Sequence, residues 1–163
     1  MTLEQFTSEL NASMFWKEFT FSQTKFSPRP KQEVELADGI IRIGPLAYVL
    51  QLKERTEATD DPNAEKQWFK NKVLGKATKQ IRDSVRYLSE HDAIRLTNER
   101  GHAVDVRGAE LADIKQIVNY QGGEALPPEC RATQFHISQT VGFIHILDGR
   151  DYLGILDYLR VPE

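Results

Sequence analysis

At 163 residues the chain is long enough for one domain with a sizeable core and too short for two ordinary domains. A net charge of −3 and a pI near 5.8 exclude a global positive field, so any nucleic-acid contact must come from a local basic patch. The single cysteine, Cys130, excludes an internal disulfide, and no secretory signal or bilayer-spanning apolar stretch is present. We expect one cytoplasmic domain over residues 1–163 without membrane contact, or the amino-terminal part of a longer protein.

The first predicted element is a helix over residues 2–14. Thr2 is its candidate cap, and apolar residues follow at spacings of three and four: Leu3, Phe6, Leu10 and Met14. The segment from Phe15 to Phe26 is rich in aromatic residues and contains a predicted short strand over Glu18–Thr24. The run Ser-Pro-Arg-Pro that ends at Pro30 predicts a stop in regular structure.

Two strands are predicted next, over Glu35–Ile43 and Leu46–Arg55, because both stretches are rich in apolar and β-branched residues. The dipeptide Gly44-Pro45 between them indicates a tight turn, so the pair should form a hairpin. A long helix over residues 62–89 follows, begun by Asp61 and Pro62. Its apolar stripe has a nearly constant spacing of four: Phe69, Val73, Ala77, Ile81, Val85 and Leu88.

The last third of the chain predicts short strands and one closing helix. The predicted strands are Ala93–Thr97, Ala103–Val106, Ile114–Tyr120, Gln134–Ile137 and Phe143–Leu147, with a loop from Gly122 to Pro128. The closing helix spans Asp148–Leu159 with Asp148 as its cap. This irregular alternation predicts an α/β fold with a mixed central sheet flanked by helices.

The hairpin carries polar groups where buried aliphatic residues would be expected. Asp38 lies in the first strand segment, and Gln51-Leu52-Lys53 end the second. Because side chains alternate along a strand, Gln51 and Lys53 should share one face while Leu52 packs on the other. Carboxylates and carbonyl oxygens at such strand ends are the ligands that hard divalent cations take.

This layout resembles the core of the PD-(D/E)XK, or restriction-endonuclease-like, nucleases, with Gln51 where the motif usually has an acid. A QxK version occurs in Mrr-like enzymes of that superfamily. The resemblance covers about residues 1–90 and implies a restriction-endonuclease-like fold and a metal-dependent enzyme that hydrolyses DNA phosphodiester bonds with Mg²⁺ or Mn²⁺. It implies metal binding by Asp38, Gln51 and the Leu52 carbonyl. Lys53 would orient the attacking water or stabilise charge.

The resemblance also implies an acid on the first helix, which we assign to Glu9. Glu35 is a second candidate, although on a continuous strand its side chain would face away from that of Asp38. None of the four histidines has a partner at ligand spacing: His91, His102, His136 and His145. Cys130 has no sequence context typical of a catalytic thiol.

The long helix is basic in an otherwise acidic chain. Residues 69–88 contain one acid, Asp83, and six basic residues, a local charge of +5: Lys70, Lys72, Lys76, Lys79, Arg82 and Arg86. Such a face suits phosphates. We expect DNA contacts from Lys72, Lys76, Lys79 and Gln80, and the resemblance implies that Lys76 or Gln80 reaches towards the active site.

Two functions stay open at this level. The first is a DNA nuclease active in defence against foreign DNA or in DNA repair, and cutting both strands of a duplex would suggest a homodimer. The second is a catalytically inactive module of the same fold that binds nucleic acid or a protein partner. Gln51 supports the second function, because an amide oxygen is a weaker ligand for Mg²⁺ than a carboxylate.

Overall fold

The computed structural model describes residues 1–160. The helices and strands follow in chain order: α1 Leu3–Met14, β1 Thr20–Phe21, β2 Lys25–Arg29, β3 Gln32–Glu35, β4 Gly39–Ile43, β5 Leu46–Glu54, α2 Pro62–Trp68, a π-helical segment Phe69–Lys76, α3 Ala77–Glu90, β6 Ile94–Thr97, β7 Ala103–Val106, a 3₁₀ turn Gly108–Glu110, β8 Asp113–Gln121, α4 Pro128–Arg131, β9 Phe135–Ser138, β10 Gly142–Asp148 and α5 Gly149–Arg160.

Six of the strands form one mixed sheet in the order β1-β4-β5-β8-β10-β9. β4 pairs antiparallel with both β1 and β5, β8 and β10 then run parallel to β5, and β9 returns antiparallel at the far edge. The hairpins β2–β3 and β6–β7 lie outside this sheet. The predicted mixed α/β architecture is confirmed.

Helices pack on both faces of the sheet. On one face, Val118, Tyr120 and Ile144 pack against the predicted helix stripe, including Phe69 and Ile81. On the other face, one apolar cluster joins Ile41, Leu50 and Ile117 of the sheet to Tyr152 and Leu156 of α5. Side chains of α1 pack against this cluster. The alternation along β5 therefore buries Val49 against α3 and Leu50 against α1 and α5.

α1 begins where the sequence predicts. The Gln5 backbone N–H donates to Thr2 Oγ1 at 3.2 Å, and the Thr2 N–H donates to Gln5 Oε1 at 3.1 Å, which is a capping box. Its buried side is more polar than the apolar stripe predicts. Asn11 accepts a hydrogen bond from the Tyr152 hydroxyl at 2.6 Å, and Thr7 Oγ1 accepts one from Asn119 at 3.3 Å.

The predicted long helix is continuous from Pro62 to Glu90, but its middle is π-helical. The Ala77 N–H donates to the Lys72 carbonyl, five residues back, instead of to the residue four back. The buried residue Glu65 fixes the start of this helix, because its Oε1 accepts from Arg55 Nε at 2.9 Å and from the Thr59 N–H at 3.0 Å. The end of β5 is thereby joined to the first turns of the helix.

Three predicted elements differ in the structure. The strand predicted over Glu18–Thr24 shortens to β1. The run Ser-Pro-Arg-Pro was expected to stop regular structure, whereas β2 continues through Pro28 and ends only at Arg29. It forms a hairpin with β3, with an irregular register between Phe26 and Arg29 that accommodates Pro28. The strand predicted over Glu35–Ile43 is interrupted, because residues 36–38 form a bend between β3 and β4. α4 begins at the end of the predicted loop.

Within residues 1–160, no helix has the length and apolar character needed to cross a bilayer.

Candidate active site

A short bend over residues 36–38 presents Asp38 at the start of β4. The Leu36 N–H donates to the Thr24 carbonyl at 3.0 Å, and the Ala37 N–H donates to Thr24 Oγ1 at 3.0 Å. The Thr24 hydroxyl donates to the Ala37 carbonyl, and the Ser84 hydroxyl of α3 donates to the Leu36 carbonyl. The backbone before Asp38 is therefore tied both to the segment after β1 and to the long helix.

The structure brings Asp38 next to the end of β5, as the sequence predicts. Gly39 pairs with Leu50 across the hairpin, so Asp38 lies just outside the ladder. Asp38 Oδ2 accepts from the Leu52 N–H at 2.6 Å and from Lys53 Nζ at 3.3 Å. Lys53 Nζ also donates to the Leu52 carbonyl at 2.7 Å, so its position is set by two oxygens.

Gln51 lies on the α3 face of β5 and is only 2% exposed. Its Oε1 is buried and has no hydrogen-bond partner among the described residues, and the same is true of Gln80 Oε1 on α3. A buried polar atom without a partner is uncommon and costs free energy unless a ligand or water satisfies it. Both amide oxygens are therefore available to accept a hydrogen bond or to bind a cation.

A pocket of about 170 Å³ lies between the bend, β5 and α3. Its polar lining is formed by Glu35, Asp38, Gln51, Gln80, Asp83 and Tyr87. Sequence reasoning did not include Asp83 and Tyr87 in the site. Their spacing in the sequence could have indicated them, because Asp83 and Tyr87 follow Gln80 by three and seven residues and so share its helix face.

Glu35 was expected to face away from Asp38, and that expectation is wrong for a physical reason. The alternation rule needs a continuous strand, whereas β3 ends at Glu35 and a bend follows. Glu35 and Asp38 consequently line the same pocket. Partial burial, and then the negative charges of Asp38 and Glu4, raise the pKa of the Glu35 carboxyl above its usual range.

On α1 the structure places Glu4 beside Asp38, whereas Glu9 is exposed and absent from the lining of both pockets that contain Asp38. Glu4 lines a second small pocket together with Asp38 and Leu52. Five residues rotate a helix by about 140° beyond a full turn, so the two acids point in different directions. The sequence feature that could have indicated Glu4 is a polar strip beside the apolar stripe of α1, formed by Glu4, Thr7 and Asn11.

Lys53 is the most electrostatically perturbed cation of the site. Burial lowers the pKa of its ammonium group, and the positive charge of Lys76 lowers it further. The carboxylate of Asp38 opposes this by favouring the charged form. Lys76 of the long helix is thus close enough to influence the charge of Lys53.

Four residues were predicted to contact DNA, and they divide into two groups. Gln80 is half-buried and lines the pocket with Asp38. Lys72, Lys76 and Lys79 have exposed side chains on the π-helical segment and the first turn of α3. The structure therefore brings Gln80 into the pocket and leaves the three lysines on the accessible surface of the same helix.

The cations without an ion-pair partner lie mainly on the long helix and at the tip of the β2–β3 hairpin. Among the described side chains, Arg82 and Arg86 both pair with Asp83. Eight of the described lysine and arginine side chains form no ion pair with a described residue. Four lie on the long helix, Lys70, Lys72, Lys76 and Lys79, and two lie at the tip of the β2–β3 hairpin, Arg29 and Lys31. The other two are Lys17 and Arg150. Glu35 at the base of that hairpin and Gln80 on the long helix both line the pocket.

Mg²⁺ and Mn²⁺ are bound mainly by oxygen ligands, so the oxygen atoms around Asp38 decide whether such an ion fits. The described residues contain no group of three or more His, Cys, Asp or Glu side chains arranged to hold a metal. The pocket offers the Asp38 carboxylate and the unpartnered oxygens of Gln51 and Gln80. Glu35 and Asp83 also line it, and Asp83 is paired with Arg82 and Arg86. The Leu52 carbonyl already accepts from Lys53 Nζ and keeps one lone pair.

Cys130 takes no part in this site. It is buried beneath the long helix, and burial raises the pKa of its thiol.

Comparison with protein-family models, with curated proteins and with solved structures finds no match to this chain.

Proposed function

We propose that the chain is a metal-dependent nuclease that hydrolyses DNA phosphodiester bonds in the pocket around Asp38, Gln51 and Gln80. The observation that carries this proposal is the pair of buried amide oxygens without partners on the pocket that Asp38 lines. Asp38 also holds the Lys53 ammonium at 3.3 Å. A carboxylate, unpartnered oxygen donors and an adjacent cation can together hold a metal ion and stabilise negative charge on a phosphate.

The order of elements supports a restriction-endonuclease-like fold as part of the proposal. α1 is followed by the antiparallel strands β1, β4 and β5, then by the long helix, and then by β8 parallel to β5. The resemblance expects a helix, then the hairpin that carries the motif, and then a long helix. The hairpins β2–β3 and β6–β7 are additions to that core.

The side chains of the pocket have separate roles in this proposal. Mg²⁺ or Mn²⁺, when bound, would neutralise charge that develops on the phosphate and make a water molecule more acidic. Lys53 supplies a fixed positive charge beside the scissile phosphate, and Asp38 together with the Leu52 carbonyl orients it. Gln80 approaches the same space from α3, where it can orient a water or a phosphate oxygen by hydrogen bonding.

The unpaired cations support DNA as the partner. Phosphate contacts by Lys72, Lys76 and Lys79 break no ion pair that the structure shows, so their charge is fully available for neutralising phosphates. Arg29 and Lys31 add two cations without ion-pair partners at the tip of the hairpin whose base lines the pocket. A duplex or single strand that passes over the pocket can thus meet positive charge from the helix and from the hairpin.

A second function, a catalytically inactive module that binds nucleic acid, is favoured by the shortage of carboxylates. Among the residues that the structure describes, Asp38 is the single carboxylate that contacts Leu52 and Lys53, and it already accepts two hydrogen bonds. If the amide oxygens bind metal too weakly, the basic surface still retains DNA.

Cleavage assays separate the two functions. The wild-type protein is incubated with linear, circular and branched DNA in Mg²⁺, in Mn²⁺ and in EDTA, and with matched RNA. The nuclease predicts DNA cleavage in at least one metal and none in EDTA. Retention of DNA in a gel-shift assay without cleavage in either metal supports the inactive module. Absence of both cleavage and binding contradicts both functions. A role in defence or repair stays a prediction of the resemblance.

A further inference from the structure

Large exposed apolar side chains concentrate at the β9 edge of the sheet and on the neighbouring helix α5. Six of them define what we call the apolar edge patch: Phe135, Ile137, Phe143, Ile155, Tyr158 and Leu159. Ile137 is 68% exposed and Tyr158 is 80% exposed. Contiguous apolar surface of this kind is typical of interaction sites and not of ordinary protein surface.

The strand residues of the patch lie on one face of the sheet. Phe135 and Ile137 are two apart on β9, and Ile137 pairs with Phe143 of β10. The rings of Phe135 and Phe143 are stacked with centroids 5.2 Å apart. Leu147, further along β10 on the same face, packs against the cluster that contains Tyr152 and Leu156 of α5. α5 therefore covers one end of this face and leaves the other end bare.

A groove of about 630 Å³ separates the bare strands from the helix. His145 and Leu147 line it from β10, and Ile155, Tyr158 and Leu159 line it from α5. The patch consequently has two halves, an uncovered strand surface and an uncovered helix stripe. These are the two kinds of surface that pack against each other elsewhere in this fold.

The strand at this edge is only four residues long, but its composition does not disfavour contact with another chain. β9 is the terminal strand of the sheet, and its sequence Phe-His-Ile-Ser contains no lysine, proline or acidic residue. Edge strands of monomeric proteins usually carry charges, prolines or bulges that prevent such contacts. The lack of these features on β9 favours a covered edge.

The area of the patch suits a dimer of modest size. The six side chains are between 46% and 80% exposed. With roughly 200 Å² for each fully exposed side chain, the patch offers roughly 700 Å². A standard protein interface buries about 800 Å² per partner.

We propose that the apolar edge patch is the interface between two copies of this chain related by a two-fold axis. The helix half of each copy packs on the strand half of the other. The two complementary halves on one surface favour a second copy over a different protein, because a two-fold axis makes both contacts at once. This proposal does not depend on nuclease activity.

Sedimentation velocity over a range up to high micromolar concentration tests it. The wild type should sediment as a species with twice the 18.7 kDa mass of one chain. Ile137→Lys and Tyr158→Glu should each sediment as single copies, because each buries a charge in the interface. Both side chains are largely exposed within one chain, so the fold should persist, as circular dichroism and the thermal midpoint will show.

A mixture of the two variants provides the sharper test. Lysine on the strand half of one copy would meet glutamate on the helix half of the other, so the mixture should recover the dimer. Ile43→Lys, at an exposed apolar position on β4, is the matched control and should remain dimeric. A wild type that stays a single copy, or variants that still dimerise, would overturn the proposal. A mixture that stays monomeric would overturn the pairing of helix half with strand half.

Discussion

Gln51 is the residue at which this site departs from a carboxylate-based metal centre. It occupies the position that the resemblance assigns to an acid, and its buried Oε1 has no partner among the described residues. A neutral ligand lowers the desolvation cost of an empty site but binds a divalent cation less tightly. The sequence alone predicts this position and its neighbours Asp38 and Lys53. It does not predict that the amide oxygen is left unsatisfied, because that depends on packing against α3.

Replacement of Gln51 by glutamate should make stability depend on metal. Without metal, Gln51→Glu should lower the free energy of unfolding by about 1–3 kcal/mol, because a carboxylate is buried near Asp38. Mg²⁺ or Mn²⁺ should raise the thermal midpoint of the variant more than that of the wild type. Gln116→Glu is the matched control, since Gln116 is also buried with an unpartnered Oε1 but does not line the pocket. Equal metal responses in both variants would contradict a cation at Gln51.

Glu35 should make stability depend on pH. Its pKa is raised in the folded protein, so folding is unaffected by its charge below the ordinary value of 4.5 and loses stability as pH rises through the folded-state pKa. Glu35→Gln should therefore be more stable than the wild type at pH 7, by less than about 1 kcal/mol because solvent screens a largely exposed side chain. The difference should vanish near pH 4. Urea denaturation at both pH values measures the difference in the free energy of unfolding, and the same difference at both would contradict a raised pKa of Glu35.

At the scale of elements, the apolar face of the long helix is predicted by the sequence, whereas its π-helical segment is not. The stripe from Phe69 to Ile81 has a constant spacing of four, which drifts by about 40° per step around an ordinary α-helix. The π-helical segment Phe69–Lys76 places more residues in each turn and reduces that drift. Helical periodicity predicts the helix, whereas the shift to bonds between residues five apart depends on its packing against the sheet. π-helical turns occur frequently at functional sites.

The lysines of this helix should determine DNA affinity. The triple variant Lys72→Ala, Lys76→Ala and Lys79→Ala should weaken DNA binding and reduce the dependence of log K on log salt by up to about 3, close to one for each phosphate that is no longer neutralised. Binding is measured by fluorescence anisotropy at several salt concentrations. The control is the triple variant Arg95→Ala, Arg100→Ala and Lys115→Ala, whose cations are exposed but paired with acids elsewhere. Equal weakening in both triple variants would show a contribution from general charge alone.

At the scale of the whole molecule, the sequence predicts the elements better than their connections. Gly44-Pro45 indicates the β4–β5 hairpin, and Gly44 adopts the positive φ of 58° that such a turn needs. The parallel pairing of β5 with β8 brings together residues more than sixty positions apart, and no local pattern encodes it. Similarly, Glu4 and Glu35 enter the site through the placement of α1 and the bend before Asp38. Sequence periodicity does not specify either.

A nuclease built on this fold requires that Asp38 and Lys53 act together on a phosphodiester bond. The most direct test is the rate of DNA cleavage in Mn²⁺ by Asp38→Ala and Lys53→Ala, with Asp113→Ala and Lys115→Ala as controls from the exposed ion pair at the opposite end of the sheet. Both site variants should lose at least about 100-fold in rate, while the controls keep the wild-type rate. Cleavage at the wild-type rate by both site variants would contradict the assigned site.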